Sequence, residues 1–145
     1  MNKVELSLFR AENLFQRYTE VPSLRDKVSR LYYACYHITI AVINIKADFD
    51  DLVIQERTTT HRAIRLIYPR FFSKTKHTQI IPNLSMKRSL ELWCNLRNVA
   101  DYEIIGDQFE SVGIEDVEKQ LKLMTLYFTR HKEYCVGLVN AGEVK

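Results

Sequence analysis

Leu24, Val28, Leu31, Cys35, Ile38, Val42 and Ile45 step by four and three without interruption. An apolar seven-residue period held that long is met by a helix that keeps one stripe against other helices. The β-branched run Ile38-Thr39-Ile40-Ala41-Val42-Ile43 would by itself also suit a buried strand. The unbroken period decides for helix. Its start is written in Pro22-Ser23-Leu24-Arg25-Asp26: Ser23 can cap, and Asp26 holds the reciprocal capping-box position.

A helix this long needs partners, and the rest of the chain offers them. Val4, Leu8, Ala11, Phe15 and Tyr18 predict a first helix over 3–18. Residues 46–59, with Asp48, Asp50, Asp51 and three threonines, read as a loop. A third helix starts at about Thr60, with Ala63, Ile64, Ile67 and Phe71 inward. Pro69 lacks an amide hydrogen and should kink or end it. After a polar segment closing on Pro82-Asn83, a fourth helix starts near Ser85, with Leu92, Leu96 and Val99 as its core stripe. Gly106 and Gly113 bracket the next loop. Ile114, Val117, Leu121, Met124, Phe128, His131 and Cys135 predict a fifth helix ending near Gly137, with Glu115 and Asp116 placed well for its dipole. The expectation is a single all-α domain, an up-and-down bundle of about five helices, with its core over about 3–139 and a frayed tail.

Composition agrees. With 145 residues the chain can bury one proper core, and 46% apolar content excludes a disordered chain. Only 4 glycines and 3 prolines speak against a turn-rich β fold. No run of apolar residues reaches membrane-spanning length, and the charged start Met1-Asn2-Lys3-Val4-Glu5 lacks the apolar core of a signal peptide. Both point to a cytoplasmic protein. Cys35, Cys94 and Cys135 are widely spaced and odd in number, with no CxxC. That argues against a disulfide framework or a zinc site and for three small core residues. No metal cluster and no cofactor are expected.

The net charge of +3 conceals a division. Between Arg57 and Leu90 stand eight basic residues and no acidic one, leaving 13 basic and 18 acidic elsewhere. Such a block is either a footprint for a polyanion or a solvated helix face.

Two polar stripes stand out. Arg97 and Asp101 are four apart near the end of the fourth helix, beside Asn98 and Tyr102. On spacing alone an ordinary surface ion pair suffices, worth about 0.3–0.5 kcal/mol. On the second helix Arg30, Tyr33 and His37 share a face. By themselves they suit a structural network, with Asp101 as a partner for Arg30 and His37 as a satisfied core histidine.

Taken together, Ser29-Arg30-Leu31-Tyr32-Tyr33-Ala34-Cys35-Tyr36-His37 and Leu96-Arg97-Asn98-Val99-Ala100-Asp101-Tyr102 resemble the HEPN domains, in the small prokaryotic branch with an Arg-x-x-Ala-Asp-Tyr signature. Thr60-His61-Arg62 followed by Phe71-Phe72 is similar to a His-to-Phe segment of that branch. The resemblance implies a helical bundle that dimerises and works on RNA or a nucleotide. Many such domains are metal-independent endoribonucleases, acting as toxins beside a nucleotidyltransferase-type antitoxin or in phage defence. Their site pairs an Arg with a His that follows after four to six intervening residues, across a dimer cleft. Here those places are Tyr102, Glu103 and Ile104. Tyr102 has an ordinary pKa of about 10 and is a poor base at neutral pH. The implied catalytic set is therefore Arg97 as phosphate clamp, His37 (or His61) as acid/base, with Asp101 and Tyr102. Arg30, Tyr33, Asn98, His61, Arg62, Arg65 and Lys74 would bind substrate. The other reading is a catalytically silent HEPN module that binds RNA, nucleotide or a partner protein.

Overall fold

A computed structural model describes residues 2–72, 86–102 and 114–142, apart from the side chains of Met86, Lys87, Val99, Asp101, Tyr102, Ile114 and Glu115. Among these residues the chain is an all-α bundle with no strand. Its helices are α1 (Lys3–Glu20), α2 (Leu24–Lys46), α3 (Phe49–Glu56), α4 (Thr60–Phe72), α5 (Met86–Tyr102) and α6 (Ile114–Asn140). The run Ile38–Ile43 is helical, as its period required. No helix among the described residues is long and apolar enough to cross a membrane.

The long apolar stripe makes α2 the central element, and it packs against all five other helices. Val28, Leu31, Cys35, Ile38 and Val42 are buried, while Leu24 and Ile45 at its ends are only partly so. Caps set the starts by accepting a free amide hydrogen of the first turn. Asn2 Oδ1 accepts from Glu5 N–H at 2.8 Å, and Ser23 Oγ accepts from Asp26 N–H at 3.5 Å. Three residues join α1 to α2, so the two run antiparallel. Lys3 Nζ reaches Asp48 Oδ2 at 2.6 Å, which pins the start of α1 to the segment just past the end of α2. That exposed pair adds little energy and marks the register that the buried packing of the hairpin sets.

Four expectations are corrected. The segment 46–59 is not all loop: Asp48 Oδ1 accepts from Asp51 N–H at 3.1 Å and starts α3, which buries Phe49 and stops where Arg57 turns left-handed at φ 53°. The acidic run that looked like loop is a helix cap and first turn. Second, of the kink or end expected at Pro69, the end does not occur. Helix α4 runs on to Phe72, whose buried ring stacks on Tyr68 at 5.0 Å and meets Tyr134 edge-on at 5.9 Å. Third, α6 passes Gly137 and ends at Asn140, and just past it Gly142 adopts φ +72° and its N–H bonds Val139 O at 3.0 Å. Glycine tolerates that left-handed turn, a usual helix stop.

The fourth correction concerns α5. Leu92 is 42% exposed and is not a core residue. The buried face is Leu90, Trp93, Leu96, Arg97 and Ala100. Trp93 lies fully inside, its indole N–H donating to Gln120 Oε1 at 3.1 Å. Arg97 thus sits on the core stripe.

The end of α5 is held from α2. Arg25 donates to the Ala100 carbonyl from Nε at 3.1 Å and from Nη2 at 2.9 Å. A guanidinium on a carbonyl of the last turn satisfies a group the helix cannot and complements its dipole. Arg25→Ala is expected to cost about 2 kcal/mol in urea unfolding, typical of a hydrogen bond to a charged group. A loss under about 0.5 kcal/mol would mean the contact is incidental.

Candidate functional site

Arg97 is 7% exposed, and its guanidinium carbon lies 5.4 Å from the Tyr32 ring centre and 5.5 Å from that of Tyr33. Both tyrosines come from α2, which places their rings under α5. A delocalised cation over two phenol faces is a favourable way to hold charge in a poorly solvated place.

The third contributor is α4. Its first turn begins at Thr59, whose Oγ1 accepts from Arg62 N–H at 3.3 Å. That start carries His61 against α2: His61 Nδ1 lies 2.7 Å from the Tyr32 hydroxyl, and the two rings stack at 5.7 Å. His61 also meets Tyr36 at 4.5 Å and Tyr33 edge-on at 6.1 Å. Tyr36 in turn meets His37 edge-on at 5.1 Å. The i, i+4 pairs Tyr32/Tyr36 and Tyr33/His37 make two adjacent rows on α2, and the imidazole of His61 lies across them.

Burial and like charge act together here. Burial first, then the charges of Arg97 and Arg65, hold the His61 imidazole below its ordinary value, so it is neutral at pH 7. Burial, then Arg10 and His61, lower His37 to about 4. Burial, with Cys94 nearby, pushes the Tyr32 phenol up, so it keeps its proton. In the tautomer where Tyr32 accepts from Nδ1–H, Nε2 is the basic nitrogen of His61. The cluster can then hold an anion at Arg97 and take a proton at His61.

Of the residues singled out from sequence, the structure brings together Arg97, Tyr33 and His61, with Arg65 close enough to act on the imidazole and His37 beyond Tyr36. Arg30, Arg62 and Asn98 are exposed and lie outside this cluster of rings. Lys74 and the side chains of Asp101 and Tyr102 lie outside the described residues. Reasoning from sequence missed Tyr32, Tyr36, Cys94 and Arg25. Tyr32 and Tyr36 stood in the quoted motif, but neither falls on the Arg30/Tyr33/His37 stripe.

His131 is separate from this cluster. It is fully buried, with Nδ1 2.7 Å from the Tyr127 carbonyl and Nε2 2.6 Å from the Tyr68 hydroxyl. A carbonyl only accepts, so Nδ1 carries the proton and Nε2 accepts from Tyr68. Thr39 Oγ1 donates to the Cys35 carbonyl at 2.7 Å and so accepts from the Tyr127 hydroxyl at 2.5 Å. This is the packing role expected of His131. The three cysteines are free and buried. Among the described residues no group of three or more His, Cys, Asp or Glu is placed to hold a metal ion.

No family model, no curated protein and no solved structure matches the chain.

Proposed function

We propose that the chain is a HEPN-type endoribonuclease domain whose reaction centre is Arg97 with His61, acting as a homodimer in the cytoplasm as a toxin or defence effector. The observation that carries this reading is the convergence of three helices on one spot: a guanidinium over Tyr32 and Tyr33, beside an imidazole fixed by the Tyr32 hydroxyl. The His that the family pattern places after the motif Arg is missing from α5. We assign its role to His61 of α4, which lies beside the Tyr32 ring that Arg97 covers.

The reaction would run on the RNA's own 2′-hydroxyl. His61 takes that proton, the 2′-oxygen bonds to the neighbouring phosphorus, and the P–O5′ bond breaks, the 5′-oxygen leaving with a proton from water. Arg97 neutralises the charge gathering on the phosphoryl oxygens. Leu92, exposed on the outer face of α5, supplies apolar surface for a second copy near the Arg97 end.

A second reading has its own support. Arg97 is nearly closed off, and a buried arginine stacked on tyrosines also suits a silent module that binds RNA, nucleotide or a nucleotidyltransferase-type partner. Cleavage of RNA, and binding of RNA or nucleotide by the silent module, both require phosphate binding. RNA affinity is expected to fall steeply between about 50 and 200 mM salt, and reversal of Arg62, Arg65 and Lys74 to Glu is expected to weaken it and flatten the salt slope. Absence of binding at low salt, or indifference to the reversals, would make the basic block a solvated face.

A further inference from the structure

Resting on that reading, we propose that the site has a second phosphate-binding position, built by Arg10 of α1 and His37 of α2, one nucleotide away from Arg97 and His61, with the Tyr36 ring between them. The ligand is then two successive phosphates of one RNA strand.

The hairpin register places Arg10. With three residues joining α1 to α2 and Lys3 fixed to Asp48, a residue ten before the end of α1 lies level with the middle of α2, where His37 stands. Arg10 is exposed, and no carboxylate among the described residues pairs with it or with Arg65. On the other side of Tyr36 lie His61, Arg65 and Arg97. Tyr36 touches both imidazoles, at 5.1 Å to His37 and 4.5 Å to His61. It is half-buried, leaving ring surface on which a base can stack. The charges agree with the geometry: Arg10 acts on His37, and Arg97 and Arg65 act on His61. Arg10 on the His37 side and Arg65 on the His61 side flank two neutral imidazoles with positive charge, a field that successive phosphates would satisfy. His37 is a positioning residue here and leaves the proton chemistry to His61.

The test uses the full chain and two ligands that cannot be cleaved: 2′-O-methyl diuridylate, with one phosphate, and its 5′-phosphorylated form, with two. In calorimetry at about 50 mM salt the second phosphate is expected to tighten binding about tenfold. Arg10→Gln, on an exposed position, should remove that gain and leave the one-phosphate ligand within about threefold of wild type. The His37 ring signals in NMR should move with the two-phosphate ligand and titrate at higher pH when it is bound. Equal affinity for the two ligands, or a gain that survives Arg10→Gln, overturns the second position. If the one-phosphate ligand still binds and needs Arg97, only this inference has failed. If neither ligand binds, the Arg97 reading falls with it.

Discussion

His61→Ala is expected to lower RNA cleavage by about 10²–10⁴-fold, the usual cost of losing a positioned acid/base. His37→Ala should cost far less at saturating RNA and act through KM. The two histidines are near neighbours, yet only His61 pairs with the buried Tyr32 hydroxyl and feels the charge of Arg97. Arg97→Lys should be almost as damaging as His61→Ala. An ammonium cannot stack over Tyr32 and Tyr33 as a guanidinium does, nor grip a phosphate through two parallel N–H groups. Because the His61 imidazole is held low by burial and two arginines, its basic form persists below pH 6.5. The acid limb of kcat/KM should therefore lie below the ordinary histidine value and move up towards it in Arg65→Gln. An equal loss from His37→Ala and His61→Ala, with no change in KM, would contradict this division of roles.

The second large effect is on stability in acid. Burial lowers His131 to about 3, whereas in the unfolded chain it titrates near 6.5. Below pH 6.5 the unfolded state takes up a proton that the folded state refuses. Its contribution is thus intact above pH 6.5 and is lost as pH falls towards about 3, at about 1.4 kcal/mol per unit. By pH 4 that amounts to roughly 3 kcal/mol from His131 alone, a large share of the stability of a domain this size. His37, lowered to about 4, adds a smaller decline of the same sign because it is partly solvated. Urea unfolding from pH 7 to pH 4, followed by the fluorescence of the single, buried Trp93, should show this fall. His131→Gln cannot take up a proton, so it should flatten the slope whatever it does to the stability at pH 7. A flat profile in the wild type, or an unchanged slope in the variant, would contradict the neutral buried imidazole.

The architecture was legible because α2 announces itself: its stripe is long enough that only one element satisfies it, and the helices around it repeat the pattern. Failures came where a local signal served another purpose. The aspartates before α3 looked like loop, yet Asp48 is its cap. Pro69 read as a kink or an end and Gly137 as lying near one, but α4 continues to Phe72 and α6 to Asn140. On α5 the apolar spacing 92-96-99 points to a stripe one residue off the buried face, which runs through Trp93, Leu96, Arg97 and Ala100. A charge on a core stripe is what a hydrophobic pattern rejects, and here it marks the candidate site. Arg97 was recognised by its motif and not by its burial. The pairing of Tyr32 with His61 was not legible. It joins residues 29 apart on different helices, and nothing in either local pattern points to the other.

The most direct measurement is cleavage of a single-stranded RNA by the purified wild-type protein in excess EDTA, with the new ends identified by mass spectrometry. An Arg97–His61 centre using the 2′-hydroxyl predicts 2′,3′-cyclic phosphate ends, formed at a rate that collapses in Arg97→Lys with the helical circular dichroism unchanged. Cleavage that survives Arg97→Lys, or no cleavage of any RNA by the clean wild type, would contradict it.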